Sequence, residues 1–107
     1  MHEYHATVYY VVDGDTVDVN VDLGFKVYTK QRIRLAGINT PERGQPGYEE
    51  AKQFLTEQVL NKVVRLQTTK ASKWGYFLGD IYTANEHINQ LMIAQGFAKP
   101  YFGGTKE

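Results

Sequence analysis

A chain of 107 residues fits one domain, taken here as residues 1–107, and leaves no room for a second core of useful size. Twelve basic residues balance twelve acidic ones, so no long-range field draws the molecule onto a polyanion, and any such binding has to be local. Cysteine is absent, which excludes disulfides, thiolate metal sites and cysteine nucleophiles, while 42% apolar residues with 8 Tyr, 5 Phe and 1 Trp predict a packed core.

In chain order, residues 4–12 are rich in β-branched and aromatic side chains and predict a first strand. Asp13-Gly14 then gives a strong hairpin signal. Val17, Val19 and Val21 alternate with Asp18, Asn20 and Asp22, the period of a strand with one wet face. A turn at Leu23-Gly24 leads into a third strand over 25–36, with Ile33 and Leu35 on one face and Lys30, Arg32 and Arg34 on the other. Two prolines and three glycines make 37–47 a loop. Ala51, Phe54, Leu55 and Val59 recur at helical spacing, with Glu49 and Glu50 where a helix dipole favours anions, so 48–61 is expected to be an amphipathic helix. Residues 63–67 and 77–82 predict a fourth and a fifth strand around a loop at 68–75. A short helix over 89–95 is expected to be capped by Asn89 and ended by Gly96, with a frayed tail over 103–107.

Five short strands, with a helix between the third and fourth, suggest an α+β domain built on a five-stranded Greek-key barrel of the oligonucleotide/oligosaccharide-binding type (an OB-fold). No apolar run approaches the roughly 20 residues that span a bilayer. The first five residues lack the apolar stretch of a signal peptide, so the chain as given is expected to be soluble, with no membrane role.

Two clusters offer chemistry. Asp15 shares the parity of the buried valines, so a regular strand would aim its carboxylate at the core side of the barrel end, where it needs a metal, an arginine or several hydrogen-bond donors. Read alone, Asp13-Gly14-Asp15-Thr16 is equally a tight turn with Thr16 opening the strand. The second cluster runs from Arg34 to Glu42 through a proline-fixed loop. Asp15, Asn39, the Thr40 carbonyl and Glu42 through water would suit calcium, and a turn or helix cap is the structural alternative for Asn39 to Glu42. Strict alternation raises a difficulty, since Ile33 and Leu35 facing inward turn Arg34 outward, away from Asp15, unless a bulge or the curvature of the barrel intervenes. Lys73 and Trp74 suit a stacked base over phosphate. Tyr9, Tyr10, Phe54 and Leu55 are assigned to the core or its edge. His2 and His5 are assigned to a mobile terminus and given no role, and His87 is placed in a turn.

Four segments together, Val12-Asp13-Gly14-Asp15-Thr16-Val17, Arg34-Leu35 to Pro41-Glu42, Lys73-Trp74-Gly75 and Asn89 to Ala98, make the chain resemble the staphylococcal nuclease family. The resemblance implies that Asp15, Asn39 and Thr40 stand at calcium-binding positions, the second of which is an aspartate in the family. It further implies that Arg34 grips the scissile phosphate, that Glu42 activates the attacking water, and that Lys73, Trp74, Tyr101 and Phe102 contact nucleotide. The family's second catalytic arginine is Tyr76 here. Tyrosine donates a hydrogen bond but brings no positive charge to the transition state. The expectation is a calcium-dependent nuclease of reduced activity that cleaves single-stranded DNA or RNA as a monomer or weak homo-oligomer. The alternative is a catalytically impaired module that binds nucleic acid or protein. A third possibility is a barrel that recognises protein or oligosaccharide.

Overall fold

The computed structural model describes residues 2–101, apart from the side chain of Lys70. Strand β1 (His2–Asp13) turns through Gly14-Asp15 into β2 (Thr16–Asp22), which turns again into β3 (Tyr28–Leu35). The short strand β4 (Ile38–Asn39), helix α1 (Tyr48–Val59), β5 (Val63–Ala71), β6 (Phe77–Tyr82), helix α2 (Ile88–Ala94) and the short strand β7 (Lys99–Pro100) follow. Five strands close a barrel in the order β1-β2-β3-β6-β5, with β5 pairing back to β1. All pairs are antiparallel except β3 with β6. This is the five-stranded OB-fold barrel with helices that the strand pattern predicts.

Closure follows from period-two burial. Val17, Val19 and Val21 of β2, Ile33 and Leu35 of β3, Leu66 of β5 and Ile81 of β6 all point inward and are buried. Helix α1 buries Ala51, Leu55 and Val59 in the same core, while Phe54 stacks on Phe97 at 4.7 Å. Its N-cap is Gly47, Glu49 and Glu50 occupy its first turn, and it ends two residues before Asn61, whose φ of 62° breaks the helix. None of the helices among the described residues is long and apolar enough to cross a membrane.

Several expected details change. The third strand begins at Tyr28, because Gly24, Phe25 and Lys26 all take positive φ and spend residues 24–26 on the chain reversal. Strand β5 runs on to Ala71, so half of the expected loop at 68–75 pairs with β6 across a register shift between Thr68 and Lys70. Two residues of the expected 37–47 loop become β4, since Ile38 and Asn39 pair with Pro100 and Lys99. Tyr9 and Tyr10 are exposed, because a register shift between Val8 and Tyr10 interrupts the alternation of β1. His2 and His5 belong to β1. His87 forms an isolated bridge with Tyr82, its ring stacked on the tyrosine at 4.5 Å and bonded to Asp80 at 2.9 Å. Asn89 lies inside α2 and leaves the N-cap to His87. Its buried amide accepts a bond from Ile81 N–H at 3.1 Å and donates to the carbonyls of Ala36 at 2.9 Å and Gly79 at 3.1 Å, tying the helix to β6 and to the end of β3. The tail expected to fray, 103–107, lies outside the described residues.

Candidate nucleic-acid site at the barrel rim

The turn between β1 and β2 places the first acidic residue. Val12 is the extra residue of a bulge between Val11 and Asp13, and Gly14 then packs so closely under α1 that an added Cβ would meet the Ala51 Cβ at 2.8 Å. The Leu35 N–H donates to the Asp15 carbonyl at 2.8 Å, so the β2–β3 ladder extends one residue into the turn. Asp15 therefore keeps the parity of the valines and is only 5% exposed. The turn reading and the inward reading of Asp15 hold together.

A buried carboxylate needs compensation, and three groups supply it. The Thr16 hydroxyl donates to Oδ1 at 3.0 Å, the Thr40 N–H donates to Oδ2 at 3.3 Å, and Arg34 Nη1 lies 3.4 Å from Oδ2. Arg34 does sit on the outer face of β3, opposite Thr16, in a ladder with no register shift. It reaches Asp15 because it is the penultimate residue of the strand and its long side chain folds back over the rim. Nη1 also donates to the Leu35 carbonyl at 3.1 Å, and Nη2 to Asn39 Oδ1 at 3.4 Å. Asn39 and Thr40, brought in by the β4–β7 pair, thus meet the Asp15–Arg34 pair from the other side. Asn39 also lines a separate hollow of about 460 Å³ with Gln45, Phe97 and Lys99.

Two further hollows adjoin at this point, and Asp13 and Asp15 line both. One, of about 590 Å³, also carries Thr16, Arg32, Arg34, Trp74 and Tyr76. The other, of about 290 Å³, also carries Thr40, Pro41, Glu42 and Arg43. Glu42 is exposed, and its N–H donates to Gln45 Oε1 at 2.7 Å, which fixes the loop that bears it. Trp74 is 72% exposed beside Lys73, whose Nζ stands 5.0 Å from the ring centroid. Ser72 accepts at Oγ from the Trp74 N–H at 3.0 Å and the Tyr76 N–H at 3.4 Å, so one hydroxyl holds the turn that presents both rings. Tyr101 is half-buried and donates its N–H to the Gly37 carbonyl at 2.8 Å. Phe102 lies outside the described residues.

Asp13 and Gln45 are neighbours of the site that sequence reasoning passed over. The paired carboxylates of Asp13-Gly14-Asp15 were a signal for the first, and nothing local marks the second. Arg32 is likewise brought to the site. Its pKa is raised, first by hydrogen bonds to Asp18 and then by the charge of Asp18.

Asp13, Asp15, Thr40 and Glu42, which line the smaller hollow, carry hard oxygens of the kind calcium takes. Among the described residues, no group of three or more His, Cys, Asp or Glu side chains is gathered as a metal cage. Since Arg34 already shares the Asp15 carboxylate, a cation held there would keep several waters and compete with a guanidinium for that oxygen.

Comparisons with known proteins agree with this architecture. The staphylococcal nuclease homologue family matches residues 32–107. A micrococcal nuclease of Shigella flexneri is 30% identical over 108 residues, covering 92% of this chain and 59% of its own length. A thermonuclease of Staphylococcus hyicus is 30% identical over 100 residues, covering 86% of this chain and 56% of its own length. A staphylococcal-like nuclease of Arabidopsis thaliana is 33% identical over 77 residues, covering 72% of this chain and 24% of its own length. The chain thus spans less than two thirds of each of these relatives.

Proposed function

The chain belongs to the staphylococcal nuclease homologue family, and from that premise we propose that it is a calcium-dependent nuclease of reduced activity, cleaving phosphodiester bonds in single-stranded DNA or RNA. The observation that carries this reading is the meeting of Arg34 and Asp15 at 3.4 Å on the rim, where the two adjoining hollows join. Arg34 offers a planar guanidinium to the scissile phosphate, a task that suits its paired N–H donors. Glu42, across the shared Asp15, serves as the base that orders or deprotonates the attacking water. Asp15, Asn39 and Thr40 would hold calcium, with Glu42 reaching it through water. When bound, the ion supplies charge neutralisation at the phosphate.

Two substitutions lower the expected rate. Asn39 brings an amide where the family has a carboxylate, and ligand charge helps set calcium affinity. Tyr76 lines the larger hollow with Arg34 and donates a hydrogen bond without a charge. An arginine lost from a phosphoryl-transfer site elsewhere costs roughly 10³ to 10⁵ in rate, so slow turnover is the expected outcome. Lys73 and Trp74 form a stacking platform for a base, and Tyr101 and Phe102 are assigned to the nucleotide pocket. The chain acts in this reading as one domain, a monomer or weak homo-oligomer.

The test is a calcium titration followed by spectroscopy and by cleavage of denatured DNA, with chelator and Glu42→Gln as controls. Cleavage that needs calcium and is lost in Glu42→Gln supports the reading. Binding of nucleic acid without cleavage would move the assignment to an impaired binding module.

A further inference from the structure

Arg32 lines the larger hollow beside Arg34, two residues back on the same outer face of β3. Two residues along a strand advance about 6.6–6.8 Å. That is roughly twice the 3.4 Å axial step per nucleotide of one duplex strand, and it suits a strand drawn out of its stack. The two arginines therefore leave the strand backbone at about the spacing of successive phosphates of an extended single strand.

Arg32 is also held ready. Its Nε donates to Asp18 Oδ1 at 2.8 Å and its Nη2 to Asp18 Oδ2 at 3.1 Å, across the β2–β3 pair. Asp18 engages two of the five guanidinium N–H donors, so three remain for another oxygen ligand. The Arg32 side chain is 51% exposed, and exposed ion pairs of this kind add little stability. The pair fixes the direction of a charge that stays accessible to solvent. Arg34 differs, since its guanidinium is turned inward to Asp15, Asn39 and the Leu35 carbonyl.

We propose that Arg32, oriented by Asp18, is a second phosphate-binding site, one phosphodiester away from the phosphate held by Arg34, so that the larger hollow takes at least two consecutive phosphates of a single strand. This rests on the nucleic-acid reading of the site and adds the length of strand that the site recognises. Asp18 is a positioning residue, and Arg32 touches substrate.

The test measures binding in chelator, where cleavage does not interfere, by NMR shift perturbation with the thymidine dimer, which has one phosphodiester, and the trimer, which has two. The native chain is expected to bind the trimer at least fivefold more tightly than the dimer. Arg32→Gln should lose that gain while its affinity for the dimer stays within twofold. With a thymidine octamer, the slope of log affinity against log salt should fall by about 0.7 in Arg32→Gln, the share of one single-strand phosphate. Arg32→Lys should restore the slope and only part of the trimer gain, because an ammonium cannot use the Asp18 anchor in the same two-point way. A trimer gain that survives Arg32→Gln overturns the proposal. So does an equal weakening of dimer and trimer, which would put Arg32 on the same phosphate as Arg34. If the native chain binds neither oligomer, in chelator or with calcium, the nucleic-acid reading of the site fails, and the second site fails with it.

Discussion

Asp13-Gly14-Asp15 and Leu23-Gly24-Phe25 are both glycine-centred reversals between neighbouring strands, yet the molecule builds them in opposite ways. At the first, Gly14 is wedged against Ala51 and Thr40, Asp15 is buried, and the loop after β4 closes over it. At the second, Gly24, Phe25 and Lys26 all take positive φ, a Cβ on Gly24 would meet nothing within 4 Å, and the Phe25 side chain stands wholly in solvent. The first turn is a junction where β1, β2, β3, β4 and α1 converge. The second links its own two strands, through bonds from the Leu23 N–H to the Val27 carbonyl and from the Val27 N–H to the Gly24 carbonyl, and through the Asp22 carboxylate, which accepts from the Gly24 N–H at 2.8 Å. The difference teaches that the local signal of a turn says nothing of its load. What decides it is whether another element packs on top.

The strongest way to break the closed turn is to take the carboxylate away from its half-buried guanidinium. Asp15→Ala removes the partner of Arg34 and the acceptor of the Thr40 N–H, and a broken buried pair costs about 3 kcal/mol or more. Urea unfolding should show that loss, and cleavage of denatured DNA should vanish with it. Adding Arg34→Leu should return part of the stability and none of the cleavage. Gly14→Ala comes next. Its Cβ would press on Ala51 at 2.8 Å and on Thr40 Oγ1 at 3.1 Å, and overpacking of this kind costs about 1–3 kcal/mol. A thermal melt at the native midpoint would show that α1 yields easily, and that the first turn is no junction.

The barrel was legible because its signals are local. Val17, Val19 and Val21 alternate, Ala51, Leu55 and Val59 keep helical spacing, and both patterns survive folding unchanged. The candidate site was legible only as a set of residue types. Alternation rightly placed Arg34 on the outer face and so gave no sign that it meets Asp15. The contact arises because a six-bond side chain at a strand end can cross the rim, which no periodicity records. The β4–β7 pair joins Ile38 to Pro100 and Asn39 to Lys99, and one amide bond of Asn89 reaches back to Ala36, 53 residues away, so a capping rule was the nearest local guess for the asparagine and it failed. At Phe25 an aromatic residue favoured a strand, and the positive φ of the turn overrode it. Arg32 was visible as part of a basic stripe, while its anchoring by Asp18 needed the strand register.

Tyr76→Arg sharpens the contrast from the chemical side, because it alters the hollow that the closed turn lines and leaves the turn's own residues unchanged. A guanidinium at this position adds the charge that Arg34 lacks as a partner. Cleavage of denatured DNA should rise at least tenfold, about 1.4 kcal/mol of transition-state stabilisation. The rise should appear in kcat more than in KM, since the charge acts on the transition state. An unchanged rate, with an unchanged melting temperature, would count against the nuclease assignment.

The smallest effect belongs to the open turn. Phe25→Ser removes a ring that touches nothing buried, and surface changes away from packed features fall within about 0.5 kcal/mol. The positive φ of 55° at Phe25 is unfavourable for an aromatic residue and scarcely better for serine, so no gain from relieved backbone strain offsets or hides the result. The expected outcome is a melting temperature, a cleavage rate and an affinity for oligothymidine equal to those of the native chain. A loss of oligonucleotide affinity would mean that the strand reaches past Arg32 and Lys30 along β3 to the far hairpin, so that the open turn carries part of the same site. A loss of stability would mean that Phe25 packs in solution, and the two turns would no longer differ in the way that their burial implies.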